Sequence, residues 1–430
     1  MQVLNKYLQW VGGIVLLLGT LNGYAQVDTT FVKKDVTLRE YLQQVSKQNL
    51  RYLAEQYNVN IAVAGIESAS VFPDPELVIG AYDNQQASLH LGRGYNAGIG
   101  TTLELGGQHR ARINLANSQA AFSKASLQEY FRNLQAEAAL DYFNALQQYN
   151  AFLVQQNAYN TMKQLADADS VRYKLGAITE IDARQSRLEA GSLLNELLQG
   201  EANWKAALAQ LSLGIGQQQT DTLLSPSTDF SHLQRNFQLS VLISEAQVKR
   251  ADVVAAQAAK TMAEKSWQLA KANRSINLGV NAGIQYAGAS TNETAPTPAY
   301  RSFNAGITLP LKFSNAYKGD IKAAKYTIRQ SAIQYEQVLL QIALEVKQAY
   351  LNYQAVEKQV ACYRGGLLQE AATVLAGKTY SYQRGETSLL EVLTAQRTYN
   401  EVQQHYYQTM FNYAAALIAL EHSAGIWDIW

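Results

Sequence analysis

The sequence predicts a mainly α protein with a small β part, and three observations carry that prediction. Apolar residues recur at spacings of three and four through very long segments, short regions alternate apolar and polar residues with period two, and the chain repeats itself once. Asn96-Ala97-Gly98-Ile99 returns unchanged as Asn304-Ala305-Gly306-Ile307, an offset of 208 residues. At about that offset Tyr142 matches Tyr350, Tyr173 and Gly176 match Tyr382 and Gly385, Asp182 matches Glu391, and Leu208 and Leu211 match Leu417 and Leu420. The 430 residues therefore read as one domain of two similar halves, about 26–225 and 226–430.

The chain opens on an expected export signal, because Lys6 precedes an apolar run from Val11 to Leu21 and the small residues Gly23 and Ala25 flank Tyr24. Cleavage is expected after Ala25, and no cysteine follows the run to take a lipid anchor. The run is shorter than the about 20 residues that a membrane-crossing helix needs, and no other long apolar stretch follows. Any crossing is therefore expected to be by β-strands.

Each half is predicted to run as a helix, a pair of strands, a very long helix, a tight glycine-containing break and another long helix. In the first half the strands fall near 76–106, where Tyr95, Ala97, Ile99, Thr101, Leu103 and Leu105 alternate with Gly94, Asn96, Gly98, Gly100, Thr102 and Glu104. In the second they fall near 275–311. Ile276, Leu278, Val280, Ala282, Ile284 and Tyr286 alternate there with polar or small residues, as do Arg301, Phe303, Ala305, Ile307 and Leu309. A transmembrane strand needs about 9 to 11 residues with one apolar face, and these segments qualify. A soluble sheet over a core would alternate in the same way, so the export signal is what turns the reading to the membrane. Leu278, Val280 and Ile307 are then expected to face lipid. The polar loop 288–299, with Pro296 and Pro298, suits the cell exterior.

The second long helix shows the helical pattern best. Ile321, Ala324, Ile328, Ala332, Tyr335, Leu339, Ile342, Val346, Ala349, Tyr353, Val356 and Val360 form a heptad-like stripe. A continuous helix from about Ala316 to Gln383 would be roughly 100 Å long and must lie against other long helices. Leu175-Gly176-Ala177-Ile178 and Arg384-Gly385-Glu386-Thr387 interrupt the two long patterns at matching places, as the glycine of an antiparallel helical turn would.

Composition argues against several chemistries. Lys and Arg number 36 against 35 Asp and Glu, so there is no basic surplus for nucleic acid. Cys362 is the only cysteine, which excludes an intrachain disulfide and a multi-cysteine metal site, and it reads as a small buried apolar residue. His90, His109, His232, His405 and His422 are scattered and form no zinc pair, and four methionines make no soft-metal relay. Gly377-Lys378-Thr379 imitates the end of a phosphate-binding loop, but Ala372 stands where its leading glycine belongs. No catalytic residue, metal ligand or cofactor site is expected, and the protein reads as a non-enzyme.

The duplicated sequence resembles the TolC-like outer-membrane efflux protein family over essentially the whole mature chain. Thr37-Leu38 with Asn49 is similar to the family's opening helix, and Phe72-Pro73-Asp74-Pro75-Glu76-Leu77 to its entry into the first strand. Gly306-Ile307-Thr308-Leu309-Pro310-Leu311, followed by Gly319, Ile321 and Ala324, is similar to its passage into the second long helix. Arg172-Tyr173-Lys174-Leu175-Gly176 and Tyr382-Gln383-Arg384-Gly385 resemble the two hairpin tips.

The resemblance implies a homotrimer in which each protomer gives four strands to one 12-stranded barrel, above a coiled-coil α-barrel through the periplasm. Independently, four strands cannot close a barrel, and an open edge in lipid costs several kcal/mol per unpaired backbone group. The implied role is the exit duct of a tripartite efflux or type I secretion pump in the outer membrane, coupled to a periplasmic adaptor and an inner-membrane transporter. By resemblance the tips, Leu175, Gly176, Ala177 and Ile178 with Arg384, Gly385 and Glu386, dock the adaptor. The gate candidates are Glu391 at the family's first acidic aperture position, Thr394 at the second, Tyr382 at the gating tyrosine, and Asp182 at the place equivalent to Glu391. Thr387 replaces the neighbouring aperture arginine. The alternative is a periplasmic coiled-coil scaffold without a pore, which accounts for the heptads but not for the repeated alternating strands.

Overall fold

The computed structural model describes residues 32–85, 90–217, 222–231, 233–312 and 316–428, so the expected export signal and His232 lie outside the described residues. The first half runs β1 (Val32–Val36), α1 (Leu38–Gln48), α2 (Leu50–Ser70), β2 (Glu76–Asp83), β3 (Arg93–Leu103), α3 (Gln108–Lys174) and α4 (Glu180–Gly214). The second runs β4 (Thr222–Pro226), α5 (Leu239–Lys249), α6 (Ala251–Ala272), β5 (Leu278–Ala287), β6 (Tyr300–Thr308), α7 (Ala316–Cys362), a π turn (Tyr363–Leu367), α8 (Leu368–Gln383) and α9 (Leu389–Ala424).

The helices form a layer built around two that span its full length. Beside the strands α2, α3, α6 and α7 lie in that order, and toward the other end α4, α3, α9 and then α7 with α8 do so. The largest core sits in the middle, where Tyr41, Tyr142, Leu208, Leu211, Ile342, Leu417 and Leu420 are buried. Here β1 and β4 pair in parallel, and Tyr142 donates to the Val36 carbonyl at 2.9 Å. The sequence reading missed both strands, since five residues such as Val-Lys-Lys-Asp-Val carry too little periodicity to register. A second, smaller core of Met162, Ala166, Leu193, Leu389, Val392 and Leu393 holds the far end.

The expected unbroken helix from Ala316 to Gln383 is corrected: it is interrupted at Tyr363–Leu367, where Gly366 takes φ +121°. A residue count explains the break. α3 has 67 residues, whereas the equivalent stretch has one more, and a π turn is how a helix houses an extra residue. Matching positions before the turn differ by 208 and those after it by 209, as Tyr142 and Tyr350, then Tyr173 and Tyr382, illustrate. Cys362 is a second correction, being exposed rather than buried. It lies two residues, and so about 200° around the helix, beyond the buried Val360.

Local capping fixes where the elements begin. Thr37 and Glu40 form a reciprocal capping box on α1. Asn49 separates α1 from α2, accepting from the Tyr52 amide at 2.9 Å and donating to the Gly214 carbonyl at 2.8 Å. In the second half Arg250 separates α5 from α6 and donates to the Ser423 carbonyl at 2.8 Å. The receiving helices, α4 and α9, then end alike, on Gly216 and Gly425 with φ of +62° and +69°.

Candidate functional site

The main sheet has the order β2-β3-β5-β6 with every pair antiparallel. Its register sets Leu77 beside Ile99, Ile99 beside Ala282 and Ala282 beside Ala305. One face therefore carries Leu77, Ile79, Tyr95, Ile99, Leu103, Leu278, Val280, Ile284, Phe303 and Ile307. Val280 and Ile307 are direct partners. Ile79, Phe303 and Ile307 are 74%, 73% and 69% exposed, an apolar belt that a water-facing sheet would not keep bare.

The other face is polar, uncharged at its centre and rich in glycine. A Cβ added at Gly80 would strike the Asn96 side chain at 2.5 Å, one at Gly306 would strike Asn281 at 2.5 Å, and one at Gly283 would strike Asn304 at 2.7 Å. Each asparagine amide thus lies flat across a glycine on the neighbouring strand, which gives a low polar surface instead of a packed core. Among the described residues of one copy the outer edges of β2 and β6 have no strand partner.

At the opposite end, α3 turns into α4 and α8 into α9 through matching bonds. Gly176 donates to the Tyr173 carbonyl at 2.9 Å and Ala177 to Arg172 at 2.9 Å. Gly385 donates to Tyr382 at 3.0 Å and Glu386 to Ser381 at 2.9 Å. Gly176 and Gly385 take φ of +72° and +78°, the left-handed conformation that favours glycine. Leu175 is 78% exposed, Ala177 is exposed and Ile178 half-buried. Arg384 pairs with Glu386 at 3.0 Å.

The gate candidates separate into three environments. Asp182 belongs to the start of α4: its amide bonds the Thr179 hydroxyl at 3.1 Å and its carboxylate accepts from that hydroxyl at 2.7 Å. Glu391 is exposed and accepts from Lys378 Nζ at 2.6 Å. Lys378 first, and Thr387 second, hold its carboxyl below the usual range. Thr394 is exposed three residues on, its hydroxyl bonded back to the Leu390 carbonyl at 2.8 Å. Tyr382 differs, being buried, with its hydroxyl donating to Asp169 Oδ1 at 3.0 Å. The Arg172 guanidinium stands 3.6 Å from that carboxylate and 4.8 Å over the Tyr382 ring. Asp169 is fully buried, and burial pushes its carboxyl above the usual range and the Tyr382 phenol up as well.

Sequence reasoning found Tyr382 but not Asp169. The signal was present: Met162, Ala166 and Asp169 lie four and three residues apart on one side of α3, and an acid in a buried stripe needs a partner. Among the described residues no group of three His, Cys, Asp or Glu could hold a metal. No described helix is long and apolar enough to cross a membrane.

Comparison with known proteins agrees with this geometry. Residues 242–426 match the sequence model of the outer membrane efflux protein family. The cobalt-zinc-cadmium resistance protein CzcC of Cupriavidus metallidurans is 24% identical over 381 residues, which cover 84% of each chain. Among solved structures, the CmeC outer membrane channel of Campylobacter jejuni superposes with a TM-score of 0.74 at 14% identity, covering 90% of this chain and 85% of that one. CusC superposes with a TM-score of 0.74 at 17% identity, covering 95% and 96%. Residues 242–426 thus carry the sequence pattern of the outer membrane efflux protein family, and nearly the whole chain has the fold of these channels.

Proposed function

We propose that the protein is the trimeric exit duct of a tripartite pump, its sheet contributing to a shared barrel in the outer membrane and its helices forming a periplasmic tunnel that meets an adaptor and an inner-membrane transporter. The observation that carries this reading is a four-stranded sheet with a bare apolar face, a polar face and two unpaired edges, an arrangement that a scaffold without a pore has no use for. Three copies joined edge to edge remove every open edge. Fractionation tests it: the protein should partition with the outer membrane as a heat-modifiable trimer, and a chain recovered as a soluble periplasmic monomer would refute the reading. Val280→Arg should cost about 2 to 4 kcal/mol at a lipid-facing position and lower the temperature at which the trimer dissociates. An unchanged dissociation temperature would mean that the apolar face does not meet lipid.

The turns at Gly176 and Gly385 are proposed to receive the adaptor. Substituting Gly385 with valine places a β-branched side chain at φ +78°, a strained conformation. Efflux should fail while trimers persist in the membrane; loss of the trimers themselves would make the turn a folding element only.

Tyr382, Asp169 and Arg172 are proposed to hold the tip closed, and Glu391 to line the aperture that they control. CzcC is named for cobalt, zinc and cadmium resistance. The polar face of the sheet is uncharged at its centre and has no charge there to sort solutes, so the choice of cargo is assigned to the transporter.

A further inference from the structure

The end of the helical layer that joins the sheet is charged differently in the two halves. In the second half, residues 260–274 at the end of α6 and 312–329 across the start of α7 hold nine Lys and Arg against two acids, Glu264 and Asp320. The matching stretches of the first half, 59–73 and 104–121, hold only Arg110 and Arg112, against Glu67 and Glu104. Arg112 is engaged inside the protein, donating to Glu104 at 2.6 Å and to the Ala69 and Val71 carbonyls at 3.4 and 3.1 Å. The same helix-to-strand passage thus forms without a basic surplus, and the fold does not require one.

The surplus is not neutralised within the chain. Among the described residues none of the nine cations forms a salt bridge. Lys312 has an internal duty, donating to the Asn273 and Ser275 carbonyls at 2.8 and 2.6 Å and so closing the end of α6. Lys318 stands in the first turn of α7, where the helix dipole disfavours a cation. Lys318, Lys322, Lys325 and Arg329 are exposed and follow at spacings of four, three and four, which sets them in one stripe down the helix.

Position supplies the partner. Ile276, Leu309 and Leu311, 43%, 52% and 65% exposed, carry the apolar belt to this edge of the sheet. Aromatic rings lie under the cations just beyond it: Lys271 stands 4.6 Å from the centre of the Trp267 ring, Lys312 4.7 Å from Tyr317 and Lys322 5.8 Å from Tyr326. Aromatic rings and lysines beside an apolar belt are the composition that anchors a protein at a membrane surface. The headgroup layer is about 5 to 8 Å deep, and Lys322 lies about 6 Å along α7 from Lys318. A cation at either place therefore meets headgroups, and Lys325 and Arg329 lie close enough beyond to add to the attraction.

We propose that this basic rim binds anionic phospholipid headgroups in the leaflet of the outer membrane that faces the helices. The occupant is a lipid, because the cations continue the apolar belt: one molecule can lay its chains on Leu309 and Leu311 and its phosphate among the lysines. The proposal rests on the outer-membrane reading and adds to it the class of lipid bound and the half of each copy that binds it.

The test uses the full chain as trimers in phosphatidylcholine vesicles, with spin-labelled phosphatidylglycerol or spin-labelled phosphatidylcholine as the probe. The motionally restricted fraction should show a preference for phosphatidylglycerol of at least about fivefold, falling as salt is raised. Arg274→Gln, Lys318→Gln and Lys322→Gln should each lower the preference and together bring it near one. Lys318→Arg should retain it, and Arg110→Gln, at the matching end of the first half, should leave it unchanged. Inserted trimers that hold both lipids equally would overturn the lipid site while leaving the duct intact. Variants that change the ion selectivity of the channel and keep the lipid preference would place the rim in the duct and overturn it as well. A chain that does not insert into vesicles at all would overturn the outer-membrane reading itself.

Discussion

Arg250→Ala is expected to lower the stability of the folded chain by about 3 kcal/mol, the low end of what breaking a buried ion pair costs. The residue is 4% exposed and its guanidinium is fully engaged. It bonds Asp252 at 3.0 and 2.7 Å, Glu345 at 2.8 Å and the Ser423 carbonyl at 2.8 Å, and its stem lies against Gly425. Truncation would leave a carbonyl at the end of α9 without its donor and two acids without a cation. The Asp252 and Glu345 side chains are 26% and 34% exposed, so water takes up part of their charge, which is why the low end applies. Asn49→Ala gives the matching control, removing one cap and one bond to a carbonyl at a cost of about 1 to 2 kcal/mol. Heat unfolding in detergent, followed by the helical signal, should therefore show the larger drop for Arg250→Ala. An equal or larger drop for Asn49→Ala would mean that the ion-pair cluster contributes nothing beyond the helix cap.

How much of this was legible in the sequence depends on how each interaction is written along the chain. Strand positions were legible because Leu278, Val280 and Ile307 repeat every second residue, and the turns because Gly176 and Gly385 are required by backbone geometry. The pairing of β1 with β4 was not, since it joins Val32 to Thr222 and so depends on the middle core bringing distant segments together. The π turn was written only as a change of offset from 208 to 209 residues, a difference that has meaning once the two long helices are laid side by side. Asp169 was hidden for another reason. Its partner Tyr382 lies 213 residues away, and only the converging helices bring the two within 3.0 Å.

Cutting the bond between Tyr382 and Asp169 is expected to open the channel. A hydrogen bond to a charged group contributes about 1.5 to 3 kcal/mol, so Tyr382→Phe should raise the open probability of each seam at least tenfold in single-channel recordings. Asp169→Ala should do more, because it also removes the anion that holds Arg172. The pH dependence has a definite sign. Burial raises the Asp169 carboxyl above its ordinary range, with Tyr382, Ser186 and Arg172 opposing that rise and Asp182 adding to it. Acidification therefore protonates Asp169 sooner than an exposed aspartate, weakens its attraction for Arg172, and should increase opening in the wild type but not in Asp169→Asn. Glu391 behaves differently, since Lys378 holds its carboxyl below the usual range and keeps it ionised as pH falls. Three such carboxylates around the axis would attract cations. Glu391→Ala should leave open probability unchanged while weakening cation selectivity and divalent block from the periplasmic side. Identical selectivity and block in Glu391→Ala would remove the acidic ring from the mechanism, and an unchanged open probability in Tyr382→Phe would remove the lock.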